Sequence, residues 1–385
     1  MSISQPLRTS FVQALSYAFN IRIVDTAQST TKIHSIQFLR AFAAILVVLQ
    51  HSIHEVNEVG AASLTGVPFV VDGTFGVEIF FVISGFIMHA LAKPRLGMPG
   101  YWWKFLLERA LRIAPVYWIA TTLFIVAAAL FPSQITHASI APAHALASYL
   151  FIPYARPGDG NFSPILALGW SLNYEMVFYA LFSFCIWFNS KAITVTITAV
   201  FLVITVLHGF TAPNTVPHYL SKPIILLFLA GTVISYLHQV VPRRLSLPSW
   251  AFVAIVAVFV TVKQLFIPFG ASLLQDSILA ISMVTVAAFT YINDSESQAA
   301  RRVTTTGDAS YSLYLFHIFA INLIIIAAKQ LHLIDRAGAY PVLGVCVAGS
   351  LVVGHLAFRY IETPIISWSV GVRKSLFGFI SKPQP

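Results

Sequence analysis

Three ionisable side chains lie inside long apolar runs of the sequence and could carry acid–base chemistry. They are His51, Glu78 and Glu175, in the stretches LVVLQHSI, FGVEIFFV and SLNYEMVFY. A charged group in hydrocarbon costs roughly 2.5–3.5 kcal/mol on insertion scales, so such residues are rare unless they have a task. A histidine with carboxylates nearby is the minimal set for general-base catalysis. The alternative is that the carboxylates only hold helices together.

Arg40 precedes His51 by eleven residues in one apolar run. Eleven residues make about three helical turns, so both side chains lie on one helical face, about 16 Å apart along its axis. We expect Arg40 near the cytoplasmic mouth and His51 in the outer third of the membrane. A snorkelling arginine and a hydrogen-bonded histidine are the structural alternative, but the shared face favours a functional pair.

Arg109 and Arg112 are three residues apart and therefore share a helical face. Two guanidinium groups on one face suit the recognition of phosphate. Lys104 lies close before them, and anchoring of a cytoplasmic loop would by itself explain the positive charge. The pairing and the Pro115 that follows favour an anion-binding role.

The last two apolar runs add His317 in SYSLYLFH and a charged pair, Arg359 and Glu362, in RYIETP. Both stretches fall at the predicted cytoplasmic side of the membrane. We expect His317 to line a path from the cytosol. We expect Arg359 and Glu362 to form an interfacial ion pair that caps the bundle.

A competing pattern is formed by His51, His54, Glu55 and Glu58, whose ligand types would suit a metal on one helical face. Transition-metal sites usually take ligands from several helices, and no second His–carboxylate pair of this kind occurs in the sequence. Glu55 and Glu58 also fall where the chain should leave the membrane. We therefore predict no metal site.

The elements that must position these residues are transmembrane helices. The chain has 385 residues, 57% hydrophobic and 10% charged, with a mean hydropathy of +0.80, which excludes a soluble domain. Apolar runs near 20 residues match the thickness of the bilayer core. The sequence predicts an all-α integral membrane protein, a bundle of about ten transmembrane helices at residues 36–54, 72–92, 112–131, 166–187, 192–208, 222–240, 249–267, 272–291, 311–329 and 340–361. The short run 142–152 is predicted to be re-entrant or interfacial.

The distribution of Lys and Arg orients this bundle. With both termini inside, 18 of the 23 basic residues fall on the cytoplasmic side. We predict a cytoplasmic extension at 1–35, the bundle at 36–364 and a cytoplasmic tail at 365–385. The net charge of +9 reflects this bias, so nucleic acid is not an expected partner. In this orientation His51, Glu78 and Glu175 lie at one depth, in the outer half of the membrane.

These stretches, in this order, resemble the acyltransferase-3 family of membrane acyltransferases. The resemblance runs from about Gln37 to Pro364, nearly the whole chain outside its two tails. It rests on the Arg40-x10-His51 spacing, FGVEIFFVISGFIM, ERALRIAPVYW, SLNYEMVFY, SYSLYLFH and RYIETP. Each motif alone is weak, but the ordered set on a ten-helix hydropathy profile is specific.

The resemblance implies transfer of an acyl group, commonly acetyl, from cytoplasmic acyl-coenzyme A to a hydroxyl of an envelope glycan or glycolipid. It implies a multi-pass protein of the bacterial inner membrane, with acyl-coenzyme A as donor substrate and no resident cofactor. Arg40 and His51 match the motif needed for activity, and Arg109 and Arg112 match the cytoplasmic Arg-x-x-Arg motif. Because only residues 365–385 follow the motifs, we expect no second, esterase-like domain. The chain is similar to stand-alone members that modify bacterial exopolysaccharide.

The sequence leaves three function classes open. In the first, the arginines and His317 hold acyl-coenzyme A, and His51, oriented by Glu175 or Glu78, acts as general base on the acceptor hydroxyl. An acyl-histidine intermediate is the variant of this route. The second class is a proton-coupled transporter in which the histidine and the two carboxylates form a relay. The third is an acyl-relay subunit that passes the acyl group to a separate extracytoplasmic transferase. The sequence identifies neither the acceptor nor the acyl chain length.

Overall fold

The computed structural model describes residues 22–25, 33–59, 72–131, 141–156, 160–189, 192–241, 243–267 and 273–377. Each of the ten predicted spans contains a helix. In chain order, the α-helices are α1 (His34–Val59), α2 (Gly73–Ala92), α3 (Tyr101–Leu130), α4 (Pro142–Tyr149), α5 (Trp170–Asn189), α6 (Ile193–His208), α7 (Val216–Leu220), α8 (Leu226–Val240), α9 (Ser249–Phe266), α10 (Leu273–Ala288), α11 (Gln298–Asp308), α12 (Ser310–Gln330), α13 (Leu333–Ala337), α14 (Ala339–Ala357) and α15 (Thr363–Phe377).

The helices confirm the all-α membrane class. Within the described ranges, seven helical segments are long and apolar enough to cross a bilayer, and two shorter apolar helices, Ile193–His208 and Leu274–Ala288, accompany them. The helix α5 has 20 residues and carries Ser171, Asn173 and Glu175 in its first two turns. The protein is therefore a multi-pass helical protein, whereas the count of ten spans stays a prediction.

Regular secondary structure extends beyond both predicted boundaries of the bundle, residues 36 and 364. Residues of the predicted extension form the strand β1 (Arg22–Asp25), which pairs antiparallel with β2 (Arg243–Leu247); β2 pairs parallel with β3 (Thr290–Ile292). At the other end, a π-helical turn at Phe358–Glu362 leads directly into α15, so the predicted tail is helical as far as Phe377. Hydropathy does not detect the strands, because each has only three to five residues.

The helix α2 lies at the centre of the core and is packed by α1, α8 and α10. Two glycines permit its close crossing with α8. A Cβ atom at Gly85 would overlap the carbonyl oxygen of Phe228, and one at Gly231 would overlap that of Val82. Small residues at such crossings let the backbones approach, which is how helices pack tightly in membranes.

The run predicted to be re-entrant forms the eight-residue helix α4, which is too short to cross a bilayer. It packs on the middle of α3, where the indole Nε1 of Trp118 donates to the carbonyl of Tyr149 at 2.8 Å. The chain after α4 stays against the same region: the backbone N–H of Ile165 donates to the hydroxyl of Ser148 at 3.0 Å. Therefore α5 begins beside the middle of α3 rather than beside its end.

Candidate active site

A cavity of about 180 Å³ lies where α1, α2, α3, α5 and α12 converge. Three predicted donor-binding arginines, Arg40, Arg109 and Arg112, line it together with Glu175. The remaining walls are mainly apolar and aromatic, with Ser84, Ser171, Ser310, Tyr179, Tyr311 and Tyr314 as the other polar groups. The structure thus brings the arginines of two different helices into one site.

Arg112 is the one cavity arginine with a carboxylate partner among the residues described. Its Nη1 lies 2.5 Å from Oε1 of Glu362, and the hydroxyl of Ser312 donates to Oε2 of the same carboxylate at 2.5 Å. Glu362 is 0% exposed. The predicted pair between Arg359 and Glu362 is therefore wrong: the π-helical turn directs Glu362 into the bundle, while Arg359 lies over the ring of Tyr360.

Arg40 and Arg109 have no carboxylate within ion-pair distance in the described part of the chain. Arg40 donates to the side chain of Gln37 at 3.2 Å, and Nε of Arg109 is buried without a hydrogen-bond partner. Glu108, beside Arg109 in sequence, pairs instead with Arg95 at 3.3 Å and with Arg373 at 3.6 Å. A half-buried cation without a counter-ion favours binding of an anion, because burying a charge is costly unless it is paired.

Glu175 belongs to the arginine cavity and not to the surroundings of His51. Its carboxylate accepts hydrogen bonds from Ser84, at 3.0 Å, and from the hydroxyl of Tyr179. The prediction assumed that α5 starts at the outer membrane surface. Since Gly169 contacts Tyr117 in the middle of α3, the first turns of α5 are already level with the arginines.

His51 lies against His317, with ring centroids 5.1 Å apart and planes at 62°. Nδ1 of His51 lies 2.8 Å from the carbonyl oxygen of Val47. Nδ1 of His317 lies 3.0 Å from the carbonyl oxygen of Leu313. A carbonyl only accepts, so each Nδ1 carries the proton and each Nε2 has a free lone pair. His317 was expected to line a path from the cytosol, and the structure places it beside the predicted base, His51.

Tyr314 connects the two groups of residues. Its ring lines the arginine cavity and its centroid lies 6.4 Å from that of His317. The hydroxyl of Tyr314 donates to the carbonyl of Leu168 at 2.8 Å and lies 2.9 Å from the hydroxyl of Ser171. These contacts fix the ring between the cavity and the histidine pair.

Glu78 stands apart from both groups. It is 2% exposed, and its Oε2 has no hydrogen-bond partner among the described residues. Gly76 faces α1, where it contacts Ala43, and Glu78 two residues later points about 200° away. The charges that act on Glu78 are those of Asp276, Lys263 and Asp72. We expected His51, Glu78 and Glu175 at one depth in the membrane, but the three residues do not form one site.

The cavity also contains groups that the sequence analysis did not single out. Tyr311, whose hydroxyl donates to the carbonyl of Ile113 at 2.8 Å, lies beneath the guanidinium of Arg112. With Tyr314 and His317 it forms a series at three-residue spacing, and that helical series was the available signal. Within the described residues, no group of three or more His, Cys, Asp and Glu side chains is placed to hold a metal ion.

Known proteins match most of this chain. A family profile described as an acyltransferase domain matches residues 33–358. The exopolysaccharide production protein ExoZ of Rhizobium meliloti (strain 1021) is 32% identical over 311 residues, which cover 80% of this chain and 93% of that protein. No solved structure matches the chain.

Proposed function

The chain belongs to the acyltransferase-3 family of membrane acyltransferases, and from this premise we propose that it transfers an acetyl group from cytoplasmic acetyl-coenzyme A to a hydroxyl of an exported polysaccharide or glycolipid. The name of the similar rhizobial protein refers to exopolysaccharide production, which supports this class of acceptor. The proposed location is the bacterial inner membrane.

The observation that carries the proposal is the pair of cavity arginines without carboxylate partners, Arg40 and Arg109. Acyl-coenzyme A carries several phosphate charges at one end and a neutral thioester arm at the other. Among side chains, the guanidinium group of arginine is the one best suited to bind phosphate. A cavity of about 180 Å³ is smaller than a complete site for such a molecule. The phosphates therefore bind at the arginines on the predicted cytoplasmic side, and the arm passes Tyr314 towards His51.

The free Nε2 of His51 supplies the base. It takes the proton of the acceptor hydroxyl while the hydroxyl oxygen bonds to the thioester carbonyl carbon. The carbon–sulfur bond then breaks, and the departing thiolate takes the proton from the imidazolium. The step needs no oxidant, reductant or metal. In the alternative route, Nε2 carries the acyl group before the hydroxyl attacks.

The proposal is tested with purified protein in lipid nanodiscs, radiolabelled acetyl-coenzyme A and polysaccharide from cells that lack this protein. His51→Ala should reduce acetyl transfer at least about 100-fold, the usual loss when a general base is removed. His54→Ala is the matched control, because His54 is exposed three residues along the same helix, and its activity should stay within about twofold. Full transfer by His51→Ala would overturn the proposal.

Two further measurements distinguish the proposed acyltransferase from a transporter and from a relay subunit. Arg109→Gln should raise the KM for acetyl-coenzyme A by about tenfold and leave kcat nearly unchanged, because it removes an anion contact remote from the reacting atoms. A transporter would release no free coenzyme A in this assay. A relay subunit would release coenzyme A and yield acetylated polysaccharide only after addition of a second protein.

A further inference from the structure

We propose that His317 is a positioning residue that holds the proton taken up by His51, rather than a contact for the donor. This inference rests on the proposed function and adds a residue to its chemistry. The starting observation is that Nε2 of His317 is buried without a hydrogen-bond partner among the described residues, in a side chain that is 0% exposed.

An unpaired acceptor at such a position is unfavourable for the resting protein. A buried polar atom without a partner loses its hydrogen bonds to water and gains none in return, a cost that an apolar side chain of similar size would avoid. The Nδ1–H of His317 is already used, since it donates to Leu313. Its Nε2 can therefore accept one further hydrogen bond, and the polar ring beside it belongs to His51.

The two histidines have matching protonation states at rest. In His51 the Nδ1–H also donates to its own helix, so its Nε2 has no proton to offer to His317. Once Nε2 of His51 takes the proton of the acceptor hydroxyl, it becomes a donor, and Nε2 of His317 becomes its acceptor. The two rings are in contact, with centroids 5.1 Å apart, but Nε2 of His317 has no hydrogen-bond partner among the described residues at rest, so the bond between the rings forms only after His51 is protonated.

The charged groups around the pair support this assignment. Among the described residues, the titratable groups near His51 are His54 and Glu55 on its own helix and His317 on α12. Those near His317 are His51 and Tyr314. No carboxylate pairs with either imidazole within the described residues. The imidazolium formed during transfer therefore depends on His317, and the pair holds one proton between two imidazole rings until the thiolate removes it.

The test compares His317→Leu, which removes the acceptor, with His317→Gln, which returns an acceptor oxygen near the position of Nε2. In the nanodisc assay, His317→Leu should lower kcat by about 10- to 100-fold and leave the KM for acetyl-coenzyme A within about twofold. The acid limb of its pH–rate profile should move to lower pH, because protonation of His51 loses its partner. His317→Gln should restore most of kcat and return the acid limb towards its original position.

Each outcome has a separate meaning. A raised KM with unchanged kcat in His317→Leu would overturn the inference and restore the role in donor binding. An unmoved acid limb, or failure of His317→Gln to restore kcat, would reduce His317 to a structural residue. Leu323→Ala, a change at an exposed position of α12, controls for effects on the helix. Absence of transfer in the wild-type protein would contradict the proposed function itself, independently of His317.

Discussion

The three guanidinium groups of the cavity have different electrostatic roles. Arg112 is neutralised by Glu362, which is itself fixed by the hydroxyl of Ser312. Arg109 keeps its charge available because the carboxylate beside it in sequence, Glu108, is engaged by Arg95 and Arg373. Arg40 keeps its charge available because its side-chain partner is the neutral amide of Gln37. At the scale of single residues, one arginine therefore stabilises the bundle while two remain for an anion.

Removal of Arg112 should destabilise the fold through the charge it leaves behind. Arg112→Leu leaves Glu362 buried without its cation, and we expect the free energy of unfolding to fall by about 2–4 kcal/mol. The loss is smaller than for a fully buried pair because 31% of the Arg112 side chain is exposed to solvent. Adding Glu362→Leu removes the unpaired charge and should recover most of the loss.

Thermal unfolding in detergent measures this difference between the single and the double variant. Arg301→Leu serves as control, since its pair with Glu296 is exposed and should contribute less than about 1 kcal/mol. A double variant as unstable as Arg112→Leu would contradict the ion-pair explanation and indicate that packing around the arginine stem decides the stability.

At the scale of elements, the position of α8 against α2 depends on the absence of side chains at their crossing. The backbones approach so closely that Gly85 and Gly231 each face a carbonyl oxygen of the other helix. Ser84, beside Gly85, donates to Glu175 in the cavity. A shift of α2 against α8 would therefore move a wall of the site as well.

Gly231→Ala should disrupt this crossing, because its Cβ would overlap the backbone of Val82 and the helices would have to separate. We expect a loss of at least about 2 kcal/mol in stability, visible as reduced yield of monodisperse protein and a lower Tm. Gly344→Ala is the matched control, since nothing lies within 4 Å of a Cβ there, and it should be neutral or slightly stabilising. Equal effects of both changes would contradict the close-crossing interpretation.

The sequence predicted the helices well and their axial positions less well. Apolar runs near 20 residues identify spans, and ionisable residues within them pointed to Arg40 and Glu175. The three-residue spacing of Arg109 and Arg112 in a basic loop pointed to the other two arginines of the cavity. Hydropathy carries no information on how far one helix slides along another. Glu175 was therefore predicted beside His51, whereas it lies beside the arginines. The segment before α5 packs on α3, and this packing sets the depth of Glu175 in the bundle.

At the scale of the whole molecule, the donor and acceptor ends of the site depend on how the bundle lies in the membrane. Along α1, His51 lies about 16 Å beyond Arg40. The excess of Lys and Arg on one side predicts that Arg40 is nearer the cytosol. Only in this orientation do the arginines meet the proposed cytoplasmic donor while the histidine pair lies towards the proposed exported acceptor.

Single cysteines with a membrane-impermeant maleimide test this orientation. The two native cysteines, Cys185 and Cys346, are buried and should react slowly. Ala212→Cys, exposed in the loop after α6, should be labelled from outside in intact spheroplasts. Gln298→Cys, exposed at the start of α11, should be labelled only after permeabilisation.

The reverse labelling pattern would contradict more than the topology. It would place Arg40 and Arg109 nearer the outer face, where acyl-coenzyme A is absent, and the histidine pair nearer the cytosol. An acyl transfer from a cytoplasmic donor would then have to begin at His51 and His317, so the arginines would be left to bind an anionic group of the acceptor. The labelling pattern thus decides which substrate meets the arginine charges, independently of any measurement of activity.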